Sequence, residues 1–122
     1  MATVVRRWDP ALGPLQLSTL RIALQQEGLT TAWWSEAPGT RVPQHEHPFP
    51  EARWVVEGYL RITIGDEVVD LGPGDRLDLP PGTRHGFEVL GLAPAIYVTG
   101  SAGPAAAPEP IRSPSLKTAP RR

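Results

Sequence analysis

The chain has 122 residues, of which 15 are proline and 12 glycine. Pro and Gly together average about 12% of residues, and here they make up about 22%, which disfavours long helical bundles because each breaks a helix interior. No cysteine is present, which excludes disulfides, thiol nucleophiles and thiolate metal sites. Up to Ser101 eight arginines face twelve acidic residues, a balance of −4, whereas the stretch from Ala102 carries four basic residues and one acid, a balance of +3. A mildly acidic body lacks the clustered cations that displace phosphate counterions, so no nucleic-acid partner is expected. No window approaches 18 consecutive apolar residues, so no membrane span is expected. The first ten residues lack the apolar run of a secretory signal, and a cytoplasmic location is the expectation.

In chain order, Gly13 to Gly28 is the best helix candidate. Pro14 suits a first turn, Leu17, Leu20 and Leu24 recur at helical spacing, and Gly28 is placed to stop it. From Thr30 the pattern becomes strand and turn. Thr30–Ala37 ends at Pro38-Gly39, and Ala52–Glu57 ends at Gly58. Tyr59–Ile64 alternates cleanly, with Leu60, Ile62 and Ile64 on one face. Gly65-Asp66 reads as a two-residue primed hairpin turn returning along Glu67–Leu71. Leu77 and Leu79 share a face, and Pro80-Pro81-Gly82-Thr83 fits a type II turn. His85–Leu90 and Ala95–Thr99 complete about seven strands, which indicates a β-sandwich or barrel. Residues 1–101 are expected to form one domain. Residues 102–122 form a Pro/Ala-rich basic tail with too little apolar surface to offset its ordering entropy.

The three histidines carry the chemistry. His45 and His47 are two apart, and in a strand such residues share a side at about 6.6 Å. Glu51 follows at an even offset, with Pro48 and Pro50 between. His85 arrives on another strand, beyond the Pro81-Gly82 turn. Three imidazoles and one carboxylate suit Fe, Mn, Ni, Zn, Co or Cu rather than Mg or Ca.

Two spaced motifs hold these residues. Gly39 is followed after five residues by His45, after one by His47, after three by Glu51 and after six by Gly58. Gly74 is followed after five by Pro80, after one by Gly82 and after two by His85. This pattern resembles the cupin superfamily, whose second motif closes with Asn where this chain has Val89. The resemblance implies an all-β double-stranded β-helix, or jelly-roll, barrel over about residues 30–99. It implies a homodimer, one divalent transition metal per chain, and His45, His47, Glu51 and His85 as ligands. It also implies a small-molecule ligand or substrate and, as activity, oxygenase or isomerase chemistry. A non-catalytic metal-binding or sensor module is the alternative.

Arg53 shares strand parity with Glu51 and Val55, so it is expected to point inward. There it either orients a carboxylate or enolate or pairs with Glu57, Asp78 or Glu88. Phe87, at parity with His85, is expected to wall the same cavity as part of a substrate site. Trp33, Trp34, Trp54 and Tyr97 are expected in the core or at a dimer contact.

Overall fold

The structure, a computed structural model, describes residues 5–102. The tail expected over 102–122 therefore lies, apart from Ala102, outside the described residues. Nine strands and one α-helix run in the order β1 (Val5–Arg6), α1 (Leu17–Gln26), β2 (Thr30–Glu36), β3 (Arg41–His45), β4 (Glu51–Glu57), β5 (Tyr59–Ile64), β6 (Glu67–Leu71), β7 (Arg76–Leu79), β8 (His85–Leu90) and β9 (Ala95–Ser101) among the described residues. They form two antiparallel sheets, one ordered β1-β7-β4-β9-β2 and the other β3-β8-β5-β6.

Alternation decides what each sheet encloses. Val42, Val55, Leu60, Ile62, Leu71, Leu77, Val89 and Tyr97 turn inward and form one core between the sheets. The five-stranded sheet is covered outside by α1, whose Leu20 and Leu24 pack on Ala52, Trp54, Val56 and Val98. Strand β4 is consequently buried on both faces from Glu51 to Val56. Fully burying each leucine of the helix face contributes about 1.5–3 kcal/mol. Pairing in β5–β6 ends at Ile64 opposite Glu67, so Gly65-Asp66 makes the expected two-residue turn, with Gly65 at φ +58°.

The helix stops where the sequence indicates and starts later than it indicates. Leu29 N–H donates to Leu24 O at 3.1 Å and Gly28 N–H to Gln25 O at 2.9 Å, with Gly28 at φ +87°. That is a Schellman stop, which a Cβ at Gly28 would strain. Pro14, expected in the first turn, lies ahead of the helix, which begins after Gln16. Proline instead opens a separate 3-10 turn, Pro10–Leu12, capped by Asp9, and the bend at Pro14 lets Leu15 pack beneath the sheet with Trp8.

One polar clamp ties the helix end to the sheet. Arg76, nearly fully buried, grips Glu27 through two hydrogen bonds of 2.7 and 2.8 Å and reaches Asp78 at 3.0 Å. Its guanidinium lies 5.0 Å from the centre of the Trp54 ring. Hydrogen bonds from Arg76 hold the Glu27 carboxyl below the ordinary glutamate range. A carboxyl lowered in the native state contributes stability above its unfolded pKa and loses it as pH falls through the native value. Urea unfolding of Glu27→Gln should therefore show lower stability than the parent at pH 7. The gap should close as pH is lowered through and below the ordinary glutamate range, and a gap that widens on acidification contradicts the clamp.

Candidate metal centre

The end of β3 meets the start of β8, with His45 paired opposite His85. Between Val42 and His45 the pairing shifts register, and Gly86 is the residue that permits it. A Cβ on Gly86 would lie 2.6 Å from Val42 O and 2.9 Å from Gln44 N, so only glycine lets the bulged backbone pass. The two imidazole rings consequently face each other at 4.5 Å between centroids.

His47 follows β3 and is brought in by the second motif. Gly82, at φ +74°, occupies the third position of the type II turn closed by Thr83 N–H on Pro80 O, and its own N–H donates to His47 O at 2.8 Å. This contact ties the two motifs together. The His47 ring lies 4.8 Å from that of His45 and 5.6 Å from that of His85, and stacks on Phe49 at 5.0 Å. One nitrogen from each histidine lies within 4.8 Å of the other two. Glu51, at the start of β4 and buried, places Oε1 3.6 Å from His85 Nε2.

Tautomers follow from the backbone. Nδ1 of His45 lies 2.9 Å from Pro43 O, and Nδ1 of His85 lies 2.9 Å from Thr83 O. A carbonyl only accepts, so Nδ1 carries a proton in both rings, and in the neutral imidazole Nε2 is then the nitrogen that holds the lone pair. His85 Nε2 is buried and makes no hydrogen bond, an arrangement that costs about 1–3 kcal/mol unless something electrophilic takes the lone pair. Metal-binding histidines use the same outer hydrogen bond to fix ring and tautomer. The three imidazoles thus fit a borderline divalent ion.

Arg53 points inward, as strand parity predicts, and is 1% exposed. The partner anticipated among Glu57, Asp78 and Glu88 is corrected: the guanidinium lies 3.6 Å from Glu51 Oε1. Asp78 is on the opposite face, engaged by Arg6 and Arg76, and Glu57 is solvent-exposed. The Arg53 guanidinium is also flanked by the Phe87 ring at 4.6 Å and the Tyr97 ring at 5.0 Å. Phe87 is buried in the barrel core on that same side. Trp54 and Tyr97 are core residues, whereas Trp33 is half exposed on the edge strand β2.

One residue here was not singled out from sequence. Glu36 is buried and accepts a 3.1 Å hydrogen bond from the Tyr97 hydroxyl. Its parity with Ala32 and Trp34 was a usable signal, but a glutamate at a strand end reads as solvated.

Comparison with known proteins agrees with this fold. A family model described as the cupin domain matches residues 32–100. The chain belongs to the cupin family. This cupin is 36% identical over 63 residues to the tetracenomycin polyketide synthase protein TcmJ of Streptomyces glaucescens, a match covering 51% of this chain and 42% of that protein. It therefore spans less than half of that relative's length. Among solved structures, an uncharacterized double-stranded β-helix protein of Klebsiella pneumoniae is 28% identical, with a TM-score of 0.57 over 71% of this chain and 70% of that one. Oxalate decarboxylase of Bacillus subtilis, which has Mn(II) centres, is 26% identical with a TM-score of 0.53, over 59% of this cupin and 20% of the enzyme. No described helix is long and apolar enough to cross a membrane.

Proposed function

We propose that this cupin is a metal-dependent enzyme acting on a small, polar, oxygen-rich molecule, with chemistry of the oxygenase or isomerase type. The carrying observation is the pair of Nδ1–carbonyl contacts, which turn Nε2 of the neutral His45 and His85 rings into the nitrogen able to bind a cation beside His47. In this reading His45, His47 and His85 hold one divalent transition ion, and Glu51 adds a carboxylate oxygen from the His85 side. Such an ion supplies a Lewis acid with positions left for a small chelating molecule. Arg53 places positive charge behind Glu51 for an anionic substrate, and Phe87 walls the cavity on that side. Likeness to a polyketide synthase protein and to an enzyme with Mn(II) centres supports the substrate class and the ion class respectively. A homodimer belongs to the same proposal, supported by half-exposed Trp33 on an edge strand. The second reading, a binding module without turnover, draws on Arg53 already being engaged by Glu51 and two rings.

Elemental analysis of protein purified without an affinity tag should give about one transition ion per chain. His47→Ala should lower occupancy at least tenfold, the order expected when a ligand is removed; unchanged stoichiometry contradicts the site. Arg53→Met, which keeps side-chain bulk, should retain metal yet bind oxalate at least tenfold more weakly by calorimetry. Equal affinity in both forms returns Arg53 to a purely structural role. Oxygen uptake with the matching ion separates turnover from binding alone.

A further inference from the structure

The rings of His45 and His85 are held at their edges, by Nδ1 against a backbone carbonyl. At His47 the structure shows support from another direction. The Phe49 ring lies against the imidazole face, with centroids 5.0 Å apart and planes 12° from parallel. His47 in turn meets the His45 ring at 73°, edge to face. Phe49 is half-buried, in the segment that joins β3 to β4.

Local restrictions in the sequence build this stack. In His47-Pro48-Phe49-Pro50 both prolines have a fixed φ. His47 and Phe49 each precede a proline, which pushes them toward extended backbone. Residues two apart on an extended run share a side, so the two rings begin as neighbours. The Gly82 N–H bond to His47 O, at 2.8 Å, anchors the main chain at the head of the segment. Tilting the imidazole out of its plane then drives one of its edges into the face of Phe49.

Two physical effects connect that contact to a cation. A side chain already held in its bound orientation loses less entropy when the ion arrives. Coordination also draws electron density out of the imidazole, and an electron-poor ring stacks better on the negative face of an aromatic ring. Together they change an affinity by roughly three- to tenfold.

We infer that Phe49 is a positioning residue, whose ring face holds the His47 imidazole in the plane from which it reaches the cation. This rests on the metal reading above and adds to it a residue with no donor atom of its own.

Cobalt(II) dissociation constants, measured on the full chain by competition with a chelator, test it. Phe49→Leu keeps apolar bulk and removes the ring face, and should weaken binding about three- to tenfold. Phe49→Tyr and Phe49→Trp keep a face and should stay within twofold of the parent. Proton NMR of the metal-free chain gives a second readout. The His47 ring protons lie over an aromatic face and are shielded there; they should move downfield in Phe49→Leu and stay upfield in Phe49→Tyr. Phe49→Met takes the place of the leucine variant if circular dichroism shows that variant unfolded. Equal cobalt affinity in Phe49→Leu and the parent, or an equal loss in Phe49→Tyr and Phe49→Leu, overturns the role of Phe49. A parent chain that takes up no cobalt overturns the metal reading beneath it, and metal content distinguishes the two failures.

Discussion

Backbone carbonyl oxygens on the Nδ1 atoms of His45 and His85 set the orientation of two of the three clustered histidines. Each carbonyl lies two residues upstream of its histidine, Pro43 for one and Thr83 for the other, so the contact is local and set by the chain's path into the strand. Because a carbonyl accepts and never donates, both rings hold a fixed proton position and a fixed orientation. The reactive nitrogens then have little choice but to face the space between β3, β8 and β4. Repeating one device on two strands produces convergence without a rigid polar cage around the site.

Keeping that space formed requires the sheets to meet closely at one end and the outside of the barrel to be covered. The β3 bulge passes over Gly86 at a distance no side chain permits, and Gly82 fastens the turn before β8 to His47. On the far side, α1 buries the outer face of β4, so the strand that carries Glu51 and Arg53 is held by apolar contacts on both faces. Polar groups on β4 are thereby placed on a rigid element, which suits a site that depends on sub-ångström positioning.

Much of this was legible because turns and alternation are local signals. The strands Tyr59–Ile64, Glu67–Leu71 and His85–Leu90 begin and end where the sequence indicates, since Gly58, Gly65-Asp66 and the Pro81-Gly82 pair punctuate them. Strand β3 was obscured by Pro43, which normally argues against a strand; it is tolerated because β3 is an edge strand. Strand β1, only two residues long, carries no periodicity to detect. The pairing of Arg53 with Glu51 was accessible in principle, as residues two apart on a strand share a face. What hid it was the reading of Glu51 as a ligand alone. The inward turn of Glu36 depends on pairing with β9, a contact across more than sixty residues that composition cannot announce.

The central claim is that Nε2 of His45 and His85 and one ring nitrogen of His47 share one cation while the Nδ1 protons of His45 and His85 stay on their carbonyls. Long-range nitrogen–proton NMR correlation of the histidine rings, followed as one equivalent of zinc is added, observes this directly. The account predicts Nδ1–H tautomers for His45 and His85 before zinc and, at one equivalent, a concerted shift of their Nε2 resonances and of one His47 ring nitrogen. Nε2–H tautomers in the metal-free chain, or a shift confined to one ring, would contradict it.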